Sequence, residues 1–449
     1  MADDFEILRG IYNSFDPFRP LPAKDPVYVD CQEVRGDGDI LVELGNQILL
    51  AERFTHQLYT GHRGAGKSTE LLRLAKFLEE HGFQVVYFAA DDEDIDAEDA
   101  QYTDILLACT RHLLQVLKGP QENPVWRWVQ SRMQALKELL QSEITLDNIS
   151  IESQITQFAK LTATLKASPD TRAKIRQIVE PHTVSLIEAL NQFIEEAMTN
   201  SPQQSTQKLV VIADNLDRIT PVIAREGARS NHEQIFIDRN EQLKALNCHV
   251  IYTVPISLVY SGRVTDLRDI YDTDPQVLPM IMVRESDGDV YQPGLDTMKE
   301  VIAKRVYQTE AVSPSLGLDS KIFDAPETLD QLCLMSGGHV RNLMLLAQSS
   351  VRRTQALPIT ARTVKRAITE ARNTYRNAVY ERQWSVLAQV ARTKKVLNDE
   401  VHRELLFNRC ILEYRFLDED EELRCWYDVH PLIRGIQEFR TALAEGETS

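Results

Sequence analysis

The sequence predicts an α/β fold: a three-layer sandwich in which a parallel sheet of about five strands has helices on both faces. Two observations support this class. Short apolar segments that suit buried strands alternate with longer segments whose apolar residues recur at helical spacing. The first of these strands also leads through a glycine-rich loop straight into a helix. The predicted strands are residues 54–59, 84–90, 209–213, 249–253 and 277–283, with a helix at 231–246.

The glycine-rich loop predicts a phosphate-binding site. Residues 61–68 fit the pattern G-x-x-x-x-G-K-[ST], whose backbone N–H groups cradle the phosphates of a nucleoside triphosphate. Glycines let the backbone approach a phosphate closely, and the N-terminus of the following helix favours negative charge. We therefore expect ATP or GTP to bind here with Mg²⁺, Lys67 reaching the β- and γ-phosphates and Ser68 the metal. The expected contacts are Gly61, His62, Arg63, Gly64, Ala65, Gly66, Lys67, Ser68 and Thr69.

A second segment supplies the acid that Mg²⁺ needs. Leu209-Val-Val-Ile-Ala-Asp214 is an apolar strand with a carboxylate at its carboxyl end, the edge where open α/β sheets bind ligands. Asp214 is therefore the predicted metal ligand beside Ser68, acting through water. Asp91 and Asp92, which follow the strand at 84–90, are the rival candidates. They begin a run of acidic and polar residues, however, and such a run is typical of protein surface.

The residues after Asp214 predict slow hydrolysis. Asn215 follows directly, and its amide cannot accept a proton from water. Asp217 is the candidate for orienting water, so we expect hydrolysis to be slow or to depend on assembly. A helix N-cap or an ion pair with Arg218 is the alternative role of Asp217.

Two further side chains suit a site that senses the γ-phosphate. Thr253 ends the strand at 249–253, although threonine is also common in strands. Arg341 closes the segment Ser336-Gly-Gly-His-Val-Arg341, in the predicted first turn of a helix, where an arginine gains nothing from the helix dipole. The predicted catalytic set is Lys67, Asp214, Asp217, Thr253 and Arg341.

Composition limits the classes to which the chain can belong. Its 449 residues are enough for two or three domains, and 43% hydrophobic and 26% charged residues are ordinary for a globular protein. An acidic N-terminus and the lack of an apolar run of about 18 residues predict a cytoplasmic protein without a membrane partner. The six cysteines form no C-x-x-C pair, so no metal knuckle or disulfide framework is expected.

The charge distribution bears on nucleic-acid binding. A net charge of −17 argues against general binding, which depends on Lys and Arg neutralising phosphates. Residues 351–410 are the exception, with 13 basic and 5 acidic residues, and the acidic run 418–422 follows them. Solvated helix faces explain this local charge more simply than a DNA groove does. Nucleic acid therefore stays an open but unfavoured partner.

The pattern along the chain predicts three domains. Residues 1–290 form the nucleotide-binding domain, in which irregular residues 1–35 act as a strap and residues from about 101 to 205 form a helical insertion. Residues 291–378 form a helical lid. Residues 379–449 hold short helices and a strand-turn-strand element with strands at 411–417 and 423–429, which together predict a winged helix.

The ordered motifs resemble the AAA+ class of P-loop ATPases, closest to its signal-transducing STAND branch and to origin-recognition-like relatives. The set covers about residues 25–435 and comprises the glycine loop, Asp214-Asn-Leu-Asp217, Thr253-Val-Pro255, Gly337-Gly338 with Arg341, and the winged helix. The resemblance implies ATP and ADP as ligands and a nucleotide contact for Arg341.

One segment favours the STAND branch. Tyr427-Asp-Val-His430-Pro-Leu-Ile-Arg434, at the end of the wing, is similar to the Met-His-Asp segment of STAND proteins, whose histidine contacts the β-phosphate of ADP and holds the domains closed. By this resemblance His430 is a nucleotide contact and a latch. Pro431 replaces the Asp of that segment, and a buried packing histidine is the alternative.

Together these expectations describe a regulatory switch. ATP binding and slow hydrolysis would control domain opening, assembly into a homo-oligomer and a separately encoded protein effector. The alternatives are a DNA-associated initiator or loader and a non-hydrolysing nucleotide-dependent scaffold. The resemblance also implies an arginine that acts on a neighbouring subunit. The candidates, among which the sequence does not choose, are Arg225, Arg229, Arg239, Arg263 and Arg268.

Overall fold

The computed structural model describes residues 4–36, 38–117, 123–132, 151–200, 208–223, 229–310, 312 and 316–446. Their strands are β1 (His56–Gly61), β2 (Phe83–Ala89), β3 (Lys208–Asp214), β4 (His249–Thr253), β5 (Gln276–Leu278), β6 (Ile411–Leu417) and β7 (Leu423–Val429). The first five form one sheet in the order β2-β3-β4-β1-β5, and the last two form an antiparallel pair. The predicted α/β class with a five-stranded sheet is confirmed.

The helices of the described residues flank these strands along the chain. They are α1 (Asp4–Ser14), α2 (Asn46–Leu50), α3 (Lys67–Glu80), α4 (Ala90–Glu93), α5 (Tyr102–Leu117), α6 (Pro124–Gln130), α7 (Ile151–Ala167), α8 (Pro169–Val179), α9 (Thr183–Asn200), α10 (Asn231–Glu233), α11 (Asn240–Leu243), α12 (Val264–Tyr271), α13 (Gln292–Tyr307), α14 (Pro326–Ser336), α15 (Val340–Arg352), α16 (Ala361–Ala378), α17 (Trp384–Thr393), α18 (Glu400–Phe407) and α19 (Gln437–Glu445).

The sheet is parallel and largely buried. Strands β2/β3, β3/β4 and β4/β1 pair in parallel, with Ala89 opposite Asp214 and Tyr59 opposite Thr253. Every residue of β4, and every residue of β3 except Lys208, is buried, as expected for a sheet covered on both faces. This register brings the carboxyl ends of β1, β3 and β4 to one edge of the sheet.

The chain folds as two compact units, each with its own hydrophobic core. The first unit comprises Met1–Asp39, Gly61–Arg73 and Val277–Ser449, and the second comprises Ile40–Thr60 and Leu74–Gln276. This packing leaves the three-domain division a prediction. Parts of the predicted insertion, at 118–122, 133–150 and 201–205, lie outside the described residues.

The N-terminal residues differ from the prediction of an irregular strap, because Asp4–Ser14 forms helix α1. Ile7, Leu8 and Ile11 are buried on one face of α1 and belong to the core of the first unit. Gly10 lies inside this pattern and lowers helix propensity, which is why sequence spacing did not indicate a helix here.

The fifth strand is shorter than the predicted 277–283. It ends at Leu278 because Pro279 has no backbone N–H to donate to a neighbouring strand. The N–H groups of Met280 and Met282 donate instead to carbonyl groups elsewhere in the first unit. The sequence pattern of 277–283 was apolar throughout, so it could not distinguish a sheet strand from buried extended chain.

The predicted helix 231–246 is also interrupted. After α10, residues Gln234–Asp238 form a wider π-helical turn, and α11 follows only after the non-helical residue Arg239. Ile235, Phe236 and Ile237 are consecutive and all buried. The apolar pattern thus located the segment and missed its irregularity.

The acidic segment after β2 is not the exposed surface that the sequence predicted. Its carboxylates form a partly buried ion network with the insertion helices of the second unit, in which Lys166 also donates to the backbone carbonyl groups of Asp91 and Asp92. The ion pairs are Asp94 with Arg111 and His112, Asp96 with Arg172, Asp99 with Arg172 and Arg176, and Asp104 with Arg176. The acids therefore fasten α5, α7 and α8 to the end of β2.

The C-terminal strand-turn-strand element lies where the sequence predicted it. Strands β6 and β7 pair from Ile411 with Val429 to Leu417 with Leu423, and α17, α18 and α19 flank them in the chain. Asp418 in the connecting turn accepts a hydrogen bond from Arg424 at 2.6 Å. The winged helix itself stays a prediction. In the description below, winged helix denotes residues 379–446, and wing denotes its strand pair β6 and β7.

Three further observations concern the described residues. No helix among them is long and apolar enough to cross a bilayer. They hold no group of three or more His, Cys, Asp or Glu side chains arranged for a metal ion. The six cysteines are all free thiols.

Candidate functional site

The glycine loop connects β1 to α3 in the conformation that a phosphate cradle requires. Gly61, Gly64 and Gly66 have φ angles of 144°, 90° and 115°, which side-chain-bearing residues rarely adopt. A Cβ on Gly64 would also lie 2.6 Å from Cε1 of His339. The loop therefore needs glycine at position 64 for its backbone angle and for the close approach of the lid.

The carbonyl groups of this loop are bonded from within the first unit. Lys67 Nζ donates to the first two, and the side chains of His339 and Arg35 and the backbone N–H of Arg341 supply the other donors. The pairs are Lys67 with Gly61 (2.8 Å) and His62 (3.1 Å), His339 with Arg63 (2.7 Å), Arg341 with Gly64 (3.2 Å) and Arg35 with Ala65 (2.8 Å). These bonds fix the course of the loop, in which the N–H of Ala65 also donates to the carbonyl of His62 at 3.1 Å. A loop of fixed shape suits a phosphate cradle.

The residues at the start of α3 fit a nucleotide phosphate and its metal. Lys67 is 5% exposed, so its cation lies inside the loop rather than in solvent. Ser68 is half-buried in the first turn of α3, where the helix dipole favours an anion. Thr69 accepts the backbone N–H of Leu21 at 3.1 Å, so the N-terminal strap crosses this turn. The donor set suits phosphate oxygens, and Ser68 remains the predicted metal ligand.

The first turn of α15 lies against the loop. His339 caps this helix, because its Nδ1 accepts the N–H of Asn342 at 3.0 Å while its Nε2 bonds the carbonyl of Arg63. The Arg341 guanidinium donates to the carbonyl of Pro17 at 3.1 Å and lies over the ring of Phe18 at 5.5 Å. The structure thus places Arg341 beside the loop, with its side chain directed to the strap; its predicted nucleotide contact stays a prediction.

His430 is fully buried and contacts the same turn of α15. The side-chain amide of Asn342 lies 2.7 Å from its Nε2, and the N–H of Leu432 donates to its Nδ1 at 3.2 Å. The Tyr375 ring stacks on it with centroids 4.5 Å apart. Burial, with Arg409 and His62 nearby, lowers the pKa of His430 to about 3, so the ring is neutral. The predicted contact with a β-phosphate stays a prediction.

In the second unit, Asp214 ends β3 with its carboxylate oriented by two donors. Tyr87 donates its hydroxyl hydrogen to Oδ2 at 2.8 Å, and the N–H of Asn215 donates to Oδ1 at 2.6 Å. Asn215 has a φ of 65°, in the left-handed region that Asn tolerates better than Glu does. The backbone therefore provides a structural reason for an amide beside Asp214. Asp214 remains the predicted partner of Ser68 on Mg²⁺.

Thr253 and Asp217 lie at the same edge of the sheet as Asp214. The Thr253 hydroxyl accepts the N–H of Leu216 at 2.9 Å and donates to the carbonyl of Ala213 at 3.4 Å. These bonds hold the turn after β3, so a structural role accounts for the hydroxyl. Asp217 is 3% exposed and lies in a turn of 3₁₀-helix, which it does not cap. Its role in orienting water stays a prediction.

The candidate arginines for action on a second subunit all have ion pairs where they are described. Arg225 lies outside the described residues. Arg268 is the most exposed of the others, at 69% of its side chain, and its contact with Asp274 is the longest at 3.9 Å. The remaining pairs are Arg229 with Asp238, Arg239 with Glu180, and Arg263 with Asp238 and Asp266.

Comparison with known proteins finds likeness in three-dimensional structure alone. No family model matches the sequence. No curated protein sequence matches it either. Solved structures similar to this chain include Cdc6p from Pyrobaculum aerophilum, at 11% identity and a TM-score of 0.41, which covers 97% of this chain and 98% of the other.

Two more structures give comparable values. A Walker-type ATPase of Pyrococcus abyssi is 12% identical with a TM-score of 0.40, over 96% of this chain and 99% of the other. The ORC2 protein of Aeropyrum pernix in its ADP form is 11% identical with a TM-score of 0.43, over 97% and 98%. Such low values carry no argument about the function of this chain.

Sequence reasoning missed two residues that hold the loop. His339 stands within the segment that predicted Arg341, yet its partner, the loop carbonyl of Arg63, lies 276 residues away in the chain. Arg35 lies in the presumed strap, and its guanidinium reaches the carbonyl of Ala65. For His339, the available signal was its place in the sequence between two glycines and an arginine. No local pattern indicated the second.

Proposed function

We propose that this chain is an ATP- and ADP-binding regulatory switch of the STAND type that hydrolyses ATP slowly. In this proposal the bound nucleotide controls docking of the winged helix, self-association and a protein effector. One observation supports it above the others: a single helical turn, His339 to Asn342, contacts the phosphate loop on one side and His430 on the other.

The turn supplies a mechanical connection between the two ends of the switch. A phosphate in the loop competes for Lys67, whose ammonium donates to the carbonyl groups of Gly61 and His62. A shift of the loop backbone then moves the acceptors of His339 and Arg341. Because the first turn of a helix moves as one body, Asn342 and its contact with His430 follow.

A nucleotide shifts such an equilibrium only if it binds the two states with different affinity. In the closed state His430 and the first turn of α15 lie close to the loop, so a diphosphate and a triphosphate meet different surroundings there. A free-energy difference of about 1.4 kcal/mol between the two ligands changes the ratio of closed to open forms tenfold.

The predicted chemistry is hydrolysis of the γ-phosphate. Mg²⁺, held by Ser68 and Asp214, would neutralise charge on the phosphate oxygens when bound. Asp217 would orient the attacking water, since the amide of Asn215 cannot accept its proton. A weakly activated water keeps turnover slow, which suits a protein whose nucleotide state persists long enough to be sensed.

The test is the nucleotide that co-purifies, followed by the mass in solution with ADP and with a slowly hydrolysed ATP analogue. We expect ADP in the purified protein, a monomer with ADP and a larger species with the analogue. His430→Ala should retain less ADP and self-associate more readily, whereas His81→Ala, at an exposed histidine, should behave as the wild type. Unchanged nucleotide content and mass in His430→Ala would refute the latch.

A DNA-associated initiator or loader is the second candidate, because α16 presents Arg362, Lys365 and Arg366 on an exposed face. Against it, the turn between β6 and β7 carries Asp418 to Glu422, whose charge repels phosphates. Retention on duplex DNA that falls with rising salt would support this candidate. Lack of retention at low salt would exclude it.

A further inference from the structure

We propose that the phosphate loop itself is a docking surface for the winged helix, with His62 as the residue that joins them. This inference rests on the proposed switch and adds to it a second connection that bypasses His430. His62 is a variable position of the glycine loop, at which the pattern G-x-x-x-x-G-K-[ST] demands no particular side chain.

The contact between loop and wing is a buried hydrogen bond. His62 is 1% exposed, and its Nε2 accepts the backbone N–H of Glu413 at 3.0 Å. A backbone N–H can only donate, so Nε2 must be unprotonated. Burial, followed by the charges of Lys67 and Arg409, lowers the pKa of His62 to about 3, which agrees with a neutral ring.

The strand that carries Glu413 turns its outer edge, on the side away from β7, toward the loop. Strand β6 pairs with β7 along one edge. At Glu413 the backbone N–H and carbonyl point away from β7, to the other edge. Its N–H donates to His62, and its carbonyl accepts the N–H of Met280 at 3.1 Å. Unpaired strand edges are costly when buried, so the loop satisfies a donor that the winged helix cannot satisfy internally.

The next loop residue makes a second contact with the winged helix. The guanidinium carbon of Arg63 lies 5.2 Å from the ring centroid of Phe407, at the end of α18, which is cation–π distance. Phe407 is 9% exposed, so the arginine covers its ring. Two consecutive loop residues, His62 and Arg63, thus bear on two elements of the winged helix.

A third contact lies beside these two. The Tyr414 hydroxyl donates to the carbonyl of Gly337 at 2.9 Å. A Cβ on Gly337, whose φ is 65°, would lie 2.8 Å from Cδ of Pro431, so only glycine lets the lid and the winged helix approach here. The docked winged helix therefore touches the loop and the lid together, and departure of the wing leaves His62 without its donor.

The consequence is reciprocal coupling. If docking of the wing holds His62 in one position, the loop is biased toward one phosphate-binding geometry, and a nucleotide that prefers this geometry favours docking by the same factor. His62 acts here as a positioning residue, since its ring is directed to the wing strand and not to the phosphate cradle.

Amide hydrogen exchange at Glu413 tests the inference in the full-length protein, with ADP and with a slowly hydrolysed ATP analogue. We expect the wild type to protect this amide more strongly with ADP than with the analogue. His62→Ala should speed its exchange about tenfold with ADP, as loss of one buried hydrogen bond predicts. His62→Gln, whose amide oxygen can accept the same N–H, should restore most of the protection.

The affinity for ADP is measured in parallel by calorimetry, with Lys67→Ala as the variant that lacks nucleotide binding. Equal Glu413 exchange in wild type and His62→Ala would overturn the inference even if ADP binds normally. Absence of ADP binding in the wild type would instead defeat the proposed function, whereas the Glu413 protection would still report on docking. If His62→Ala fails to fold, His62→Gln alone serves as the test. The inference is overturned as well if the Glu413 amide of His62→Gln exchanges at a rate unlike that of the wild type and shows no difference between ADP and the ATP analogue.

Discussion

Arg218 donates to a carboxylate oxygen of Asp91 at 2.6 Å, although Asp217 is its neighbour in the chain. This pair connects the end of β2 to the turn after β3 within the second unit. It gives the guanidinium of Arg218 a partner other than Asp217. It also engages the acid that rivalled Asp214 for the metal, which strengthens the choice of Asp214.

Asp217→Asn should therefore slow ATP hydrolysis about 100-fold or more, the usual loss when a group that orients or deprotonates water is removed. The affinity for ADP should not change, because the substitution keeps the size of the side chain. Phosphate release at saturating ATP and Mg²⁺ measures the rate. Asp91→Asn is the matched control and should stay close to the wild-type rate.

The non-hydrolysing scaffold makes the opposite forecast. If it is correct, the wild type releases no phosphate above the level of Lys67→Ala, and Asp217→Asn changes nothing. Magnesium-dependent release that disappears in both variants excludes it.

Gly64→Ala should impair nucleotide binding far more than a comparable substitution outside the loop. Its φ is +90° and the new methyl group would lie 2.6 Å from His339, so the loop and the lid must separate. Gly82→Ala has nearly the same backbone angle, +85°, with no atom within 4 Å of the new carbon. Both variants carry strain of about 1 to 2 kcal/mol, but calorimetry should find weaker ADP binding only in Gly64→Ala. Equal losses of affinity would contradict the role of His339.

Acid should release the winged helix. His62 and His430 have pKa values of about 3 when docked, against 6.5 when exposed. Above pH 6.5 both rings are neutral whether the winged helix is docked or open, so the histidines do not bias docking. Between pH 6.5 and 3 the rings take up protons only in the open state. Docking should thus weaken as pH falls, by about 1.4 kcal/mol per histidine at pH 5.5.

The groups around these rings favour the neutral form. Lys67 and Arg409 are the cations near His62, and Arg409 is also near His430; the carboxylate of Glu413, on the facing strand, is bound to Arg415. Exchange of amides 411–417 at pH 7.5 and 5.5, corrected for its intrinsic pH dependence, measures the release. A double variant with Gln at both histidines should lose most of the response, and an unchanged response would assign it to other groups.

The buried ion pairs after β2 should contribute more to the stability of the second unit than exposed ion pairs do. Arg176→Ala would leave the carboxylate of Asp104, which is 2% exposed on its side chain, buried without its cation, at a cost of about 3 to 5 kcal/mol. Arg229→Ala removes a pair whose arginine side chain is 62% exposed and should cost about 1 kcal/mol or less. Denaturant unfolding followed by circular dichroism compares them, and similar losses would show that burial of the pair is unimportant.

The sequence was most informative where the pattern is local. Strand β4 and both strands of the wing begin and end at the predicted residues, since each is an apolar or alternating run closed by a turn. The glycine loop was equally clear because phosphate binding demands fixed residues at fixed spacing. Asp214 ends β3 as predicted, and its role as a metal ligand stays a prediction.

The remainder depended on contacts between distant segments. His62 and Glu413 are 351 residues apart, and no local pattern marks either as a partner of the other. The acids after β2 appear solvent-exposed in sequence, because the arginines paired with Asp99 and Asp104 belong to a helix some 70 residues further on. Helix α1 was hidden by one glycine within an otherwise ordinary apolar face.

The glycine loop is fastened to the strap by Arg35, to the lid by His339 and Arg341, and to the wing by His62. We expect these attachments to slow the release of a nucleotide, because the loop around a phosphate can open only when they loosen. We expect the protein to work as a timer in which an external factor that loosens any one of these attachments shortens the interval for which the nucleotide stays bound.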